Sequence, residues 1–205
     1  MGRDMTPMFP LGSVLLPGMP LPLRLFEPRY LALLQDVLER DSRDFGVVLI
    51  ERGHEVGGGD ARFDVGTLAE VQELEVGDEQ AALIAVGTRR IRVDRWLTDD
   101  PYPQAEVTVL PDLAWAEDDR DLLDRTEDVV RSVLVQAAEF VEPRWAPDVE
   151  LDDEPVTRCW QLAGIALLGP LDQVDLLRAE SVAQLLGTLT EHTRSALEFL
   201  QISNA

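Results

Sequence analysis

Residues 8–34, MFPLGSVLLPGMPLPLRLFEPRYLALL, decide the fold of the first part of this 205-residue chain. The prolines fix φ and remove backbone donors, so the apolar residues between them can form only short strands, edge strands and turns. These apolar stretches are far shorter than the roughly 20 residues that a membrane-spanning helix needs. The start also lacks the basic region, apolar core and cleavage site of a secretory signal. We therefore expect a cytoplasmic protein that has no membrane partner.

The composition indicates a folded and strongly acidic protein. Hydrophobic residues make up 45% of the chain, and 39 acidic residues against 18 basic ones give a formal charge of −21. Every basic residue is an arginine, since the sequence contains no lysine. The missing lysine excludes a Walker A loop, a Ser–Lys catalytic dyad and Schiff-base chemistry. Because the negative charge repels polyphosphates, we do not expect nucleic acid as a partner.

Residue types that bind metals or act as nucleophiles are scarce. Cys159 is the only cysteine, which excludes an intramolecular disulfide and a four-cysteine zinc site, and we expect it in the core of an apolar helix. His54 and His192 are the only histidines and have no companion ligands at short spacing. No Gly-x-Ser-x-Gly elbow or nucleotide-binding loop is present. We therefore predict no catalytic residues, no metal site, no cofactor and no enzyme activity.

Residues 9–110 are predicted to form mainly β-structure. The continuous apolar run at residues 45–50 is typical of a strand buried on both faces. Alternating patterns predict further strands, and Gly77-Asp78 is the expected turn of a hairpin between the first two. These strands cover residues 65–76, 81–86, 89–97 and 104–110. In the third, Ile91, Val93 and Leu97 are expected on one face and Arg90, Arg92 and Asp94 on the other.

One helix is expected among these strands, from Pro28 to about Arg40, because proline suits the first helical position. Its apolar stripe is predicted to consist of Tyr30, Leu31, Leu34, Val37 and Leu38. The glycine-rich residues 53–60 follow a predicted strand and lack the lysine and hydroxyl of a phosphate-binding loop. We interpret them as a mobile loop.

After Pro111 the apolar period becomes that of helices. A long amphipathic helix is predicted from the acidic residues 117–119 to Val141, with Pro143 as its stop. The acidic residues 142–155 are interpreted as a hinge or a loop within the domain. Further helices are expected at residues 156–168, 172–179 and 181–200, the last with a capping box of Ser181 and Gln184. The chain thus divides into a β-rich lobe, residues 1–112, and a helical lobe, residues 113–205.

Seven short motifs follow one another through the first half of the chain. They are Phe9-Pro10-Leu11, Leu16-Pro17-Gly18, Leu21-Pro22-Leu23, Phe26-Glu27-Pro28-Arg29-Tyr30, Phe45-Gly46-Val47-Val48, Val65-Gly66-Thr67 and Gly87-Thr88-Arg89-Arg90. Their order and spacing resemble the N-terminal substrate-binding domain of Lon proteases, and residues 162–177 resemble its second lobe. The resemblance covers nearly the whole chain. It implies an α+β fold, with a PUA-like twisted β-barrel or sheet lobe containing one helix, followed by an α-helical bundle lobe.

The resemblance also implies a function in polypeptide binding. Lon proteases add an ATPase and a Ser–Lys peptidase module, which these 205 residues do not contain, so we expect a non-catalytic, standalone type of domain. Our leading hypothesis is that it binds exposed apolar segments of unfolded client polypeptides, for example by strand addition at a sheet edge. The candidate binding residues are Phe26, Glu27, Arg29, Tyr30, Gly66 and Gly87.

The candidate residues also have a structural interpretation. Phe26 would anchor a strand, Glu27 would lie at the positive end of the helix that begins at Pro28, and Arg29 would pair with a nearby carboxylate. Gly66 and Gly87 would serve bends of the backbone.

Two alternative functions remain open. The protein could be an adaptor that docks one native partner, such as a separate protease or ATPase, through the helical lobe or the acidic connection. RNA binding is suggested by the PUA-like architecture alone, and fold is a poor guide to function. Its basic cluster would be Arg89, Arg90, Arg92 and Arg95, which we expect to pair with the abundant carboxylates instead.

Overall fold

Regular structure changes from strands to helices near residue 113. The computed structural model describes residues 5–52, 61–77, 80–142 and 144–203. The chain divides into two units, Met1–Asp112 and Leu113–Ala205. The predicted mobile loop at residues 53–60, Asp78 of the hairpin turn and Pro143 lie outside the described residues. The α+β class predicted from the sequence is confirmed, with a sheet and one described helix in the first unit and helices in the second.

The first unit is a six-stranded sheet with the order β2-β5-β4-β3-β1-β6. Its elements are β1 (Met5–Leu11), β2 (Pro20–Leu25), α1 (Pro28–Leu38), β3 (Asp44–Arg52), β4 (Ala61–Val76), β5 (Ala81–Trp96) and β6 (Gln104–Val109). β1 and β3 are parallel, and the other pairs are antiparallel. Because β6 pairs with both β1 and β5, the sheet closes on itself and β2 extends it beyond the closure.

The strand β5 joins the two parts of this sheet. Its first half pairs with β2, from Ala81 opposite Leu25 to Val86 opposite Pro20. Its second half pairs with β6, from Ile91 opposite Val109 to Trp96 opposite Ala105. The sequence predicted two strands here, at residues 81–86 and 89–97, and this division is wrong. The strand continues through Gly87, which donates to the Met19 carbonyl at 3.0 Å and accepts from the Gly18 N–H at 2.8 Å.

The strands contribute to two apolar clusters on opposite faces of the sheet. Val47 packs in the cluster that contains α1, whereas Val48 packs in the other, and each is 1% exposed. Since neighbouring strand residues point to opposite faces, the predicted strand buried on both sides is confirmed. In the cluster with α1, Phe9 stacks on Tyr30 with ring centroids 4.1 Å apart.

Two glycines of the first unit allow a neighbouring backbone to approach a strand closely. A Cβ atom on Gly66 would lie 2.1 Å from the Val47 carbonyl oxygen, and one on Gly87 would lie 2.4 Å from that of Leu16. Both glycines lie inside strands, and of the described glycines only Gly18 has a positive φ, 73°. The expectation that Gly66 and Gly87 serve bends is therefore wrong. Each of them leaves room for a neighbouring backbone.

The second unit contains four α-helices. They are α2 (Arg120–Ala137), which follows a single 3₁₀ turn (Glu117–Asp119), α3 (Pro155–Ile165), α4 (Pro170–Leu177) and α5 (Val182–Ser203). α2 ends four residues before the predicted Val141, where the Glu139 and Phe140 N–H groups bond three residues back instead of four, to the Gln136 and Ala137 carbonyls at 3.3 and 2.9 Å. None of the helices in the described ranges has the length and apolar content needed to cross a membrane.

Side chains cap the starts of two helices in the second unit. Burial alone would raise the pKa of Glu154, but hydrogen bonds from the Thr157 and Val156 backbone lower it on balance. Ser181 Oγ accepts from the Gln184 N–H at 3.1 Å, as predicted. The Gln184 side chain, however, accepts from the N–H of Glu180 at 2.9 Å, one residue before the expected partner.

One ion-pair network holds the acidic connection of the second unit. The Glu127 carboxylate accepts from Arg131 Nε at 2.8 Å and from two nitrogens of Arg158 at 3.0 Å. Arg131 also donates to the carbonyl oxygens of Pro147 and Val149. The described residues 144–154 of the predicted connection 142–155 therefore form a loop within the second unit, anchored to α2 and α3, which is one of the two predicted alternatives.

Replacing Gly66 with alanine should destabilise the protein by at least about 2 kcal/mol, because the new methyl group would overlap the Val47 carbonyl. Gly187→Ala is the matched control, since a Cβ there meets no atom within 4 Å. Alanine at that exposed helical position should raise the free energy of unfolding by about 0.5–1 kcal/mol. Urea unfolding, monitored by circular dichroism, measures the change in stability of both variants. Equal stability of the Gly66→Ala variant and the unmodified protein would show that the strands are not packed as described.

Replacing Glu127 with glutamine should destabilise the second unit by about 1–3 kcal/mol, since two partly buried guanidinium groups lose their counter-charge. The variant should also be cut faster by protease within residues 144–154. Glu117→Gln is the control, because Glu117 is largely exposed and lies 3.5 Å from Arg120. If both variants unfold at the same urea concentration, the network does not anchor the connection.

Candidate functional site

An apolar groove lies between α1 and the end of the β4–β5 hairpin, and we call it the α1–hairpin groove. Leu31, Leu34 and Leu38 line it from the helix, and Val76 and Ala81 line it from the hairpin. Its polar lining residues are Gln35, Glu39 and Gln80. The cavity volume is about 490 Å³, within the range of ligand pockets. It can therefore accommodate a few apolar side chains.

The helix side of this groove differs from the predicted apolar stripe. Leu33, absent from that stripe, is 1% exposed and belongs to the core with Tyr30 and Val37. Leu31 and Leu38 are only half-buried. At about 100° per residue they lie roughly a quarter-turn from the core direction, two helical turns apart. Leu31 and Leu38 thus belong to the predicted apolar stripe and pack against the edge of the core, where they also border the groove.

The hairpin side presents Val76 at the last position of β4, opposite Ala81 in the register. Its side chain is 70% exposed, although it lies beside two half-buried leucines. A single exposed apolar residue is ordinary, but a contiguous apolar surface with a polar rim is typical of binding sites. Val76 thus extends the groove outward.

The predicted junction at the start of α1 lies close to the groove along the chain. Leu25, the residue before Phe26, pairs with Ala81 of the groove. Phe26 is 65% exposed. It is followed by Glu27, the residue before α1, whose carbonyl accepts from the N–H groups of Tyr30 and Leu31 at 3.0 and 3.1 Å.

The charged residues of this junction pair with each other. Arg29 Nε donates to the Glu27 carboxylate at 3.0 Å, which confirms the expected ion pair and identifies its partner. The Arg29 guanidinium also lies 4.4 Å from the centre of the Tyr30 ring. The cation–π contact and the ion pair hold Arg29 in place, whereas the exposed Phe26 does not anchor a strand as expected.

The other three candidate residues lie in the interior. Tyr30 is 4% exposed beneath Arg29, and Gly66 and Gly87 are buried inside β4 and β5. The structure therefore brings Phe26, Glu27 and Arg29 together at the surface, with Tyr30 below them. Gly66 and Gly87 can influence a surface only through the backbone that they position.

A tyrosine far along the chain also positions α1. The Tyr102 hydroxyl donates to the Asp36 carboxylate on the helix. Burial, together with this hydrogen bond and the negative charge of Asp36, raises the pKa of Tyr102 to about 12. The protonated hydroxyl is thus retained at neutral pH and fixes the helix that carries the groove.

The basic cluster considered for RNA binding is largely engaged by the protein itself. Arg92 pairs with Asp94 at 3.2 Å, and Arg95 pairs with Glu106 at 2.5 Å. Arg90 was predicted to share a strand face with Arg92 and Asp94, but it is 6% exposed and donates to the Pro111 carbonyl at 2.7 Å. Desolvation by burial lowers the pKa of Arg90, although Asp112 opposes this effect. The cluster is therefore not a continuous basic patch.

Potential metal ligands and the cysteine thiol bear on whether the described residues could catalyse a reaction. Within the described ranges, no group of three or more His, Cys, Asp or Glu side chains is arranged to hold a metal ion. Cys159 lies in the core of the second unit, as predicted, and burial raises the pKa of its thiol to about 12. The thiol is therefore protonated at neutral pH, which makes it a poor nucleophile.

Comparison with known proteins identifies similar chains. Lon protease of Anaeromyxobacter dehalogenans is 33% identical over 115 residues, which cover 55% of this chain and 14% of that protein. Protein cereblon of Danio rerio is 34% identical over 104 residues, which cover 48% of this chain and 23% of that protein. The chain thus matches less than a quarter of the length of these two relatives.

A solved structure is similar over almost the whole chain. The Lon N-terminal domain protein from Xanthomonas campestris superposes with a TM-score of 0.62 at 27% sequence identity, covering 92% of this chain and 98% of that one. The family described as the ATP-dependent protease La (LON) substrate-binding domain matches residues 5–195. The chain therefore belongs to the LON substrate-binding domain family.

Proposed function

We propose that this protein binds apolar segments of non-native polypeptides through the α1–hairpin groove, without chemical change to the bound chain. The observation that carries the proposal is the groove itself, where exposed Val76 and half-buried Leu31 and Leu38 form one apolar surface. Membership of a substrate-binding family supports polypeptide as the ligand class. Exposed Phe26 adds a large apolar side chain at the adjoining start of α1.

The size of the groove favours weak and broad recognition. A pocket for a few side chains buries on the order of 100–200 Å² of apolar surface, worth about 2.5–5 kcal/mol before the costs of association. Binding of one segment would therefore be weak, and a long unfolded chain would offer several such segments in turn. A site that binds many different sequences requires low sequence specificity more than high affinity.

Recognition through side chains is favoured over strand addition at β2. Among the described strands, β2 pairs with β5 alone, so its other edge is the one an extended client would join. Prolines within sheets occur on edge strands, where the position of the missing N–H faces the unpaired side. Pro20 and Pro22 therefore leave that edge with few donors, and we assign client binding to the groove.

Replacing Val76 with aspartate should weaken binding of an unfolded client about tenfold, because a carboxylate would be desolvated in the apolar groove. The probe is fluorescein-labelled lysozyme, reduced and carbamidomethylated so that it stays unfolded, and its binding is followed by fluorescence anisotropy. Native lysozyme controls for charge and should not bind. Val135→Asp is the matched variant, since Val135 is 59% exposed on α2, and it should bind as the unmodified protein does.

The same titration with Phe26→Ser tests the junction at the start of α1. We expect about a fivefold loss, since an exposed aromatic side chain contributes contact area at low entropic cost. Equal binding by the unmodified, Val76→Asp and Val135→Asp proteins would contradict the assignment of the groove. Absence of any binding to unfolded lysozyme by the folded, unmodified protein would contradict the proposed function.

A further inference from the structure

A second apolar groove lies within the helical unit, between the segment that precedes α4 and the last turns of α5, and we call it the α5 groove. α5 lines it with His192, Ser195, Ala196, Phe199 and Leu200. The spacing of these residues corresponds to one face of a helix, extending about 12 Å along the axis. Leu167 and Leu168 form the opposite side, and the cavity volume is about 450 Å³.

Apolar residues near this groove are exposed to solvent in the second half of α5, beyond the part of the helix that is buried in the core. Val182, Leu185, Leu186 and Leu189 at the beginning of α5 are completely buried. Further along, Phe199 is 70% exposed and Ile202 is 78% exposed. Leu171, in the first turn of α4, is 65% exposed. The second half of α5 thus presents an apolar surface that the described residues leave uncovered.

The charge beside this surface is negative. Asp172 is the only acidic residue that lines the α5 groove in the described part of the chain, and its carboxylate accepts from the Gly169 N–H at 3.3 Å. Asp172 Oδ1 lies 3.5 Å from His192 Nδ1, and Asp175 Oδ2 lies 3.7 Å from His192 Nε2. Asp175 also lies 3.6 Å from Arg178. Residues 113–205 contain 19 acidic and seven basic side chains, so the unit as a whole attracts cations.

We propose that the α5 groove docks an amphipathic helix of a partner protein, with apolar side chains on one face and lysine or arginine beside them. The face of α5 that lines the groove matches about two turns of a partner helix, which is the usual helix-in-groove arrangement. Asp172 and Asp175 lie where they can pair with a cation next to the apolar residues. Self-association is disfavoured, because a second copy would bring another formal charge of −21 to the same surface.

This inference is independent of the α1–hairpin groove. The α5 groove lies entirely in the second unit, Leu113–Ala205, whereas the α1–hairpin groove lies in the first. A protein with both surfaces would hold a changing series of unfolded clients at one and a fixed native partner at the other. If the protein is also an adaptor, the α5 groove is thus the surface at which it would dock its native partner.

The test uses a fluorescein-labelled 14-residue helical peptide with leucines on one face and lysines on the other. The 205-residue chain is titrated by anisotropy, and the same peptide with glutamate in place of lysine is the ligand control. Phe199→Ser should weaken binding about tenfold, as expected for an aromatic contact. Asp172→Asn should weaken it about threefold. The asparagine keeps an acceptor for the Gly169 N–H, so the start of α4 should be preserved.

Matched variants separate docking from general attraction to an acidic protein. Val135→Ser removes an exposed apolar residue of α2, and Glu198→Gln removes a charge from α5 outside the groove lining. Both should bind the lysine peptide normally. Equal effects of Glu198→Gln and Asp172→Asn, or no effect of Phe199→Ser, would overturn the proposal. A dimer detected by sedimentation and abolished by Phe199→Ser would also overturn it, by assigning the groove to a second copy.

Discussion

The close backbone approach at Gly87 is the constraint on which the first unit depends. A side chain there would overlap the Leu16 carbonyl, and the backbone of Gly87 itself bonds to Gly18 and Met19. These contacts place the segment that leads into β2 and allow β5 to continue without interruption. β5 then pairs with β2 at one end and with β6 at the other, so one strand both closes the sheet and extends it.

The α1–hairpin groove follows from the same constraint. The register of β2 on β5 sets Leu25 opposite Ala81, so the chain enters Phe26 and α1 beside the end of the hairpin. Tyr102 and the stacked pair of Phe9 and Tyr30 then hold α1 in place. The apolar surface is thus a consequence of how the sheet is assembled. Its position is rigidly determined, although its lining residues come from three separate elements.

Most of the strands and helices could be predicted from periodicity and proline positions, because both act over a few neighbouring residues. The errors occur where distant residues decide the outcome. Arg90 alternates like a solvent-facing residue, but its guanidinium reaches the Pro111 carbonyl and is buried. Leu33 is buried in the core, whereas Leu31 and Leu38 pack at its edge, because the direction from which the sheet covers α1 is a tertiary property. A helical wheel alone places the three leucines on different sides without showing which side is covered.

The candidate site was predictable only in part for the same reason. Phe26, Glu27 and Arg29 are adjacent in sequence and could be selected as a group, whereas Val76 is about 40 residues from the helix it accompanies. Gly66 and Gly87 were selected as bends of the backbone, but what requires glycine at both is a neighbouring backbone carbonyl in the interior. The α5 groove had no distinct sequence signal, because its apolar residues continue the period of the buried part of α5.

Hydrogen–deuterium exchange of the chain, free and saturated with reduced, carbamidomethylated lysozyme, is the most direct test of client binding at the α1–hairpin groove. Exchange reports local opening, so a bound segment should slow it in the elements that it contacts. We predict slower exchange in α1 and in β4 and β5 near Val76 and Ala81, with no change in α5. Slower exchange confined to α5 or to β2, with α1 and the hairpin unaffected, would contradict the account.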